Sequence, residues 1–190
     1  MTQPARVVLA RWISIVLHPF AVFAALALYA AWRLDPASLP RVAIGIAVAI
    51  GMVWGFVLQR RRSGRWGTVD ASHPRERPAL YALLLAVAFA YWAWLGGRGS
   101  AASAGVLATV AMLAAAAGLN RWIKLSLHMA SLALAGVALW ALEPVAGIVA
   151  LGLLPVLGWA RIAMGRHRLP EVMGGAGLGL LAGIGLRMLA

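Results

Sequence analysis

The chain has no cysteine among its 190 residues. That absence excludes a disulfide framework, a thiolate zinc site and a cysteine nucleophile. Carboxylates are scarce as well, because only five Asp and Glu stand against 17 Lys and Arg. Apolar residues are abundant instead: 63% of the chain is hydrophobic and its mean hydropathy is +0.87. This composition is typical of an integral membrane protein and not of a soluble domain.

Apolar stretches long enough to cross a bilayer recur along the chain. Because one spanning helix needs ~20 such residues, we expect an all-α, polytopic transmembrane helix bundle with about seven spans, six or seven in all. We expect residues 1–190 to form a single transmembrane domain. The predicted spans lie at about residues 12–32, 42–58, 79–95, 104–119, 126–142, 145–159 and 170–188.

The positive charges lie mainly on one side of this predicted bundle. If each span reverses the chain direction, the N-terminus and loops 59–78, 120–128 and 161–171 share one face. Even without Arg75 and the three cations assigned to chemistry below, nine remain there against four on the other face. The positive-inside rule then places this face in the cytoplasm of an inner (plasma) membrane. We expect membrane lipids as neighbours and no nucleic-acid partner, because no soluble basic surface remains.

The last of these loops contains a spaced set of an arginine, a histidine and a carboxylate. Arg161 is followed after five residues by His167, and His167 after three residues by Glu171. A carboxylate beside an imidazole fixes its tautomer and makes it a competent nucleophile toward phosphorus. Arginine suits the charge on a transferring phosphoryl group. The spacing therefore indicates phosphoryl-transfer chemistry.

This set resembles the third motif of the type 2 phosphatidic acid phosphatase superfamily, with Glu171 in place of the usual aspartate. The resemblance implies that Arg161 binds phosphate, that His167 attacks phosphorus and that Glu171 orients His167. Ser126 and His128 resemble part of the second motif, which implies a phosphate contact from Ser126 and proton donation to the leaving group from His128.

Arg77, followed by a proline, resembles the end of the first motif of the same family. The resemblance implies that Arg77 binds phosphate. The position of the family's lysine holds Asp70, so we infer that Lys124 supplies the missing ammonium. The expected activity is metal-independent hydrolysis of a lipid phosphate or prenyl diphosphate through a phosphohistidine intermediate, with no cofactor and no metal.

Two other functions remain open. The first is a non-catalytic membrane protein on the same scaffold, which the altered first and second motifs favour. The second is a membrane prenyltransferase, in which Asp70 and Glu76 would hold Mg²⁺ against a diphosphate. The roles of His73 and His18 are not determined by the pattern. The pairs Gly51/Gly55 and Gly175/Gly179 predict close packing between helices.

The predicted orientation can be tested with a single cysteine, because the chain has none of its own. A cysteine introduced at Ser72, in the 59–78 loop, should resist impermeant thiol reagents in intact cells and react after lysis. A cysteine at Ser100, on the opposite face, should react in intact cells. Labelling of position 72 before lysis would invert the orientation.

Overall fold

The computed structural model describes residues 4–67, 76–97 and 102–189, and those residues form helices joined by short turns, with no strand among them. A short 3₁₀ turn, Pro36–Ser38, precedes the third α-helix. The α-helices are α1 Ala5–Val16, α2 Pro19–Leu34, α3 Leu39–Arg62, α4 Arg77–Trp94, α5 Ser103–Leu119, α6 Leu127–Leu142, α7 Pro144–Gly152, α8 Leu154–Ala163 and α9 Leu169–Leu189.

Five helical segments are long and apolar enough to cross a membrane, with α1–α2 and α7–α8 each counted as one segment. The two remaining helices, α5 and α6, are apolar but shorter. Together they give the seven apolar segments that the sequence predicts, and the all-α fold class is confirmed. The exposed side chains of these helices include many large apolar residues, as expected of surfaces that face lipid.

The first span is interrupted where the sequence predicts one continuous helix. α1 ends at Val16 and α2 begins at Pro19. Proline disfavours the helical conformation of the residue before it and donates no backbone hydrogen bond. His18 therefore lies between the helices, and its Nδ1 accepts a hydrogen bond of 3.3 Å from the backbone N–H of Phe20. That bond satisfies one of the open donors at the start of α2.

The sixth span is also divided, into α7 and α8, with Pro155 in the first turn of α8. α8 continues to Ala163, so the predicted loop beginning at Arg161 starts too early. Arg161 lies in the last helical turn, where the helix macrodipole favours a cation. The turn that follows uses Gly165 at φ +66°, a conformation that glycine adopts without strain.

The described chain divides into two compact units. The first contains Met1–Leu26 and Ile123–Ala190, and the second contains Ala27–Trp122. Each is described here by itself, and the single-domain assignment stays a prediction.

α6 is the centre of the first unit. Its residues Met129 through Ala138 are all buried. It packs mainly against α9 and α7, and a core around Met129, Leu157 and Val172 joins it to α8. The predicted close packing of Gly175 and Gly179 is confirmed. A Cβ atom at Gly175 would lie 2.5 Å from the carbonyl oxygen of Ser126, and one at Gly179 would overlap the carbonyl oxygen of Ala130.

The second unit has a separate core around Ala31, Val42 and Leu95. Gly51 and Gly55 lie on α3, but a Cβ atom at either would meet no atom within 4 Å among the described residues. The predicted helix packing at this pair is therefore wrong for the part of the chain that the structure shows. Both glycines lie on a side of α3 that contacts no described residue. Their spacing places them on one face of the helix but does not predict whether that face packs against another helix.

Replacing Gly179 with alanine should destabilise the first unit, because the new methyl group would push α6 and α9 apart at a backbone atom that cannot rotate away. Overpacking of this kind costs about 1–3 kcal/mol. Gly177→Ala in the same helix is the control, since a Cβ there meets nothing within 4 Å. Thermal unfolding in detergent should show a lower Tm for Gly179→Ala only. Equal Tm values for the two variants would contradict this packing.

Candidate active site

The pair formed by His167 and Glu171 is the best-defined feature of the first unit. His167 Nδ1 lies 2.9 Å from Glu171 Oε2, and their side chains are 4% and 19% exposed. His167 lies in the turn before α9, and Glu171 is the third residue of that helix. The same carboxylate oxygen accepts a 3.2 Å bond from the backbone N–H of Arg168. Glu171 thus fixes the imidazole and caps the helix at once.

This contact determines which nitrogen of a neutral His167 carries the proton. An ionised carboxylate only accepts hydrogen bonds, so Nδ1 is the protonated nitrogen. The lone pair then lies on Nε2. A neutral imidazole with its lone pair on Nε2 and a carboxylate behind Nδ1 is suited to attack an electrophile.

Ser126 joins this pair to α6. It is the residue before α6, and its backbone N–H donates to the carbonyl oxygen of Glu171 at 3.1 Å. Its side chain is fully buried, and its Oγ has no hydrogen-bond partner among the described residues. Gly175 permits this approach, because a side chain there would overlap the Ser126 backbone. A buried hydroxyl at the start of a helix, where backbone N–H groups are open, suits an anion.

Arg161 is buried and held by a residue far away in sequence. Its Nη1 donates to Ser14 Oγ at 2.7 Å, and the two residues are 7% and 5% exposed. Ser14 lies on α1, which packs against α8. A buried guanidinium needs hydrogen-bond acceptors around it, and Ser14 supplies one. α1 therefore fixes the position of a cation carried by α8.

His128 lies close to the same residues. The Arg161 guanidinium and the His167 imidazole lie close enough to act on it electrostatically, and its ring contacts the backbone of Ser14. The ring of His18 meets that of His128 edge to face, with centroids 5.1 Å apart and planes at 85°. The first unit therefore gathers the imidazoles of His18 and His167 and the guanidinium of Arg161 around His128.

Lys124 contacts the loop that carries His167. Its Nζ donates to the backbone carbonyl oxygen of Arg166 at 3.0 Å. The backbone N–H of Arg166 in turn donates to the carbonyl oxygen of Arg161 at 3.1 Å. Lys124 therefore ties the segment before α6 to the turn between α8 and α9, and its predicted contact with phosphate stays a prediction.

Arg77 belongs to the second unit. It is the first residue of α4, it is buried, and its Nη1 donates to Asn120 Oδ1 at 3.0 Å. Its predicted phosphate contact stays a prediction. Asp70 and His73 lie outside the described residues. In the described ranges, no group of three or more His, Asp or Glu side chains is placed to hold a metal ion.

Ser14 and His18 are the members of this cluster to which the sequence analysis assigned no role in the site. A serine on an apolar helix gives no local signal, because it tolerates lipid-facing and buried positions alike. His18 offered a weak signal, as an ionisable residue inside a predicted span before Pro19. Only the packing of α1 on α8 shows that both residues lie beside Arg161.

Comparisons of the chain with models of protein families, with curated proteins and with solved structures found no match in any of the three.

Replacing Ser14 with alanine should destabilise the first unit, because the Arg161 guanidinium would lose a buried acceptor. Hydrogen bonds to charged groups contribute roughly 1.5–3 kcal/mol. Ser131→Ala is the matched control, since Ser131 is buried too but donates only to the neutral carbonyl of His128. The Tm measured in detergent should fall clearly more for Ser14→Ala. A larger loss for Ser131→Ala would show that the Arg161 contact is unimportant.

Proposed function

We propose that this membrane protein is a metal-independent phosphatase that hydrolyses a lipid phosphate or a prenyl diphosphate through a phosphohistidine intermediate. The observation that carries the proposal is the contact of 2.9 Å between His167 Nδ1 and Glu171, in a cluster that also contains Arg161 and His128. The resemblance of the motifs to the type 2 phosphatidic acid phosphatases supports the same reaction.

In the first step, the lone pair on His167 Nε2 forms a bond to phosphorus while the bond from phosphorus to the leaving oxygen breaks. Glu171 accepts the hydrogen bond from Nδ1–H throughout and stabilises the positive charge that develops on the ring. The leaving oxygen takes a proton from His128. General acid catalysis of this kind contributes typically 10²–10⁴-fold, by an order-of-magnitude estimate.

In the second step, a water molecule attacks the phosphorus of the phosphohistidine. The N–P bond breaks, its electron pair returns to Nε2, and His128 takes a proton from the attacking water. Inorganic phosphate leaves, and both histidines regain their starting protonation states. The net reaction consumes one water and needs neither an oxidant nor a metal.

Arg161 and Ser126 are the groups we assign to phosphate binding within this unit. Arg161 is fixed by Ser14, so little reorganisation is needed when charge builds on the phosphoryl oxygens. The Ser126 hydroxyl is buried without a partner in the described chain, and a phosphate oxygen would satisfy it. The proposed contact of Lys124 with the substrate would add to this positive charge.

The substrate is proposed to be a lipid because the cluster sits at the ends of apolar helices. Ser126 precedes α6, Arg161 lies in the last turn of α8 and Glu171 lies in the first turn of α9. The phosphorus would then lie at headgroup depth, on the face we propose to be cytoplasmic. The acyl or prenyl chain of the lipid would lie along the apolar helices. Because fixed cations recognise the phosphate, selectivity among substrates should come from the acyl or prenyl chain of the lipid.

The competing hypothesis is a non-catalytic protein on this scaffold. Its specific support is the second role of Glu171, whose carboxylate also caps the start of α9 at the Arg168 N–H. Under that hypothesis the carboxylate and His167 serve only to begin the helix. Activity measurements on matched variants separate the two functions.

The His167→Ala variant should release no phosphate, because the attacking nitrogen is gone, while His128→Ala should retain residual activity about 10²–10⁴-fold below the wild type. Glu171→Gln should lose less than His167→Ala, since an amide oxygen still accepts from Nδ1–H and glutamine still caps α9. The assay is phosphate release in detergent from phosphatidate, farnesyl diphosphate, undecaprenyl diphosphate and water-soluble esters.

His73→Ala is the control, because that histidine has no assigned role. Vanadate should inhibit the wild type, and EDTA should not. Wild-type turnover by His167→Ala would end the assignment of the nucleophile, and equal turnover of soluble esters would end the lipid assignment. No release from any substrate by the folded wild type would favour the non-catalytic alternative.

A further inference from the structure

A cleft on the first unit lies beside the proposed active site and takes no part in the reaction proposed there. Its volume is about 270 Å³, and its lining residues are Val7, Arg11, Met164, Gly165 and Arg166. Val7 and Arg11 are four residues apart on α1, so they share one face of that helix. The other three belong to the turn after α8, against which α1 packs.

A glycine and two backbone hydrogen bonds fix the conformation of this turn. Gly165 adopts φ +66°, its N–H donates to Ile162 O at 2.8 Å, and the N–H of Arg166 donates to Arg161 O at 3.1 Å. These bonds close the end of α8 and set the path of the chain past α1. The cleft is thus bounded by a helix on one side and a hydrogen-bonded turn on the other.

The charge of the cleft is entirely positive. Among the residues that the structure describes, Arg11 and Arg166 are the charged ones that line it, and no carboxylate does. The first unit holds only Glu143 and Glu171 as acids, and Glu171 contacts His167. Arg11 makes no hydrogen bond or ion pair with the described residues. Guanidinium groups bind phosphate oxygens in pairs of parallel hydrogen bonds, so a phosphate group is the ligand that this lining suits.

The apolar residues around the cleft suit a lipid ligand better than a soluble anion. On the same helix, Val8 is 43% exposed and Ile15 is 52% exposed, and Ile15 follows Arg11 by four residues and therefore lies on the same face of α1. Exposed apolar side chains on a membrane helix are typical of a surface that faces lipid. Val7 and Met164 add apolar atoms to the lining itself. An acyl chain could lie along this apolar surface while its phosphate reaches the two arginines.

We propose that the cleft formed by Arg11, Arg166 and the Gly165 turn binds the phosphate of an anionic lipid headgroup. The lipid is held there without being hydrolysed. This site is separate from the His167 cluster, since neither arginine is assigned to the reaction. The phosphate of a phosphodiester lipid and a free phosphate ion share the chemistry that the arginines recognise, and the exposed apolar side chains of Val8 and Ile15 beside the cleft favour the lipid.

The test is native mass spectrometry of the full chain in a neutral detergent. The probes are dioleoylphosphatidylglycerol, dioleoylphosphatidylcholine and inorganic phosphate. Phosphatidylglycerol is a phosphodiester, so the proposed phosphatase does not consume it. The variants are Arg11→Gln and, as a matched control, Arg6→Gln, which removes one charge from the same helix outside the cleft.

The wild type should retain phosphatidylglycerol in preference to phosphatidylcholine. Arg11→Gln should weaken that binding roughly tenfold, the effect of losing one charge-assisted contact. Arg6→Gln should leave it unchanged. Arg11→Lys should restore only part of the binding, because lysine keeps the charge and loses the paired hydrogen bonds.

Equal weakening by Arg6→Gln and Arg11→Gln would reveal diffuse charge attraction and overturn the proposal. Inorganic phosphate that displaces the lipid at comparable concentration would assign the cleft to a free ion and overturn the lipid assignment. The outcome is independent of the phosphatase reaction. His167→Ala should bind phosphatidylglycerol as the wild type does, even if no substrate is ever hydrolysed.

Discussion

The close approach of the α6 and α9 backbones is the contact on which the first unit depends. Gly175 and Gly179 leave no side chain between the helices, so the backbone of α9 lies directly on that of α6 at Ser126 and Ala130. Without a large hydrophobic driving force between helices in lipid, such small-residue contacts provide the packing energy. Where this contact between the helices begins, the backbone N–H of Ser126 donates to the carbonyl oxygen of Glu171. The packing that stabilises the unit therefore also sets the carboxylate beside His167.

The second requirement of the unit is to accommodate a buried cation in an apolar bundle. Arg161 lies at the end of α8 with little exposure, and Ser14 on α1 accepts one of its N–H groups. The last turn of α8 adds the favourable end of a helix dipole. This arrangement explains why α1 is part of the site although it carries none of the motif residues. The protein itself therefore holds the guanidinium in position.

Hydropathy was sufficient to predict the fold class, because a bilayer demands long apolar helices and the chain supplies them. It could not place the breaks at His18 and Leu153, where a proline two positions or fewer downstream divides an apolar run that is otherwise continuous. The contact of His167 with Glu171 follows from local spacing and was predicted as part of the motif. The contact of Arg161 with Ser14 joins residues 147 positions apart, and no local pattern encodes it. The hydrogen bond from Arg77 to Asn120 likewise joins residues 43 positions apart, so the local sequence around Arg77 does not predict it.

During synthesis, α6 emerges before α7, α8 and α9, the three helices that later cover it. α6 can be stable in the bilayer as an independent helix, because the one polar side chain of its buried stretch is satisfied within the helix. Ser131 donates to the carbonyl oxygen of His128 in the first turn of α6. The glycines against which its backbone packs, Gly175 and Gly179, belong to α9 and are synthesised later. Translation of α9 also delivers Glu171, which holds the imidazole of His167. Completion of the cluster is therefore tied to α9, and a nascent chain stopped before α9 would lack the carboxylate that contacts the His167 imidazole.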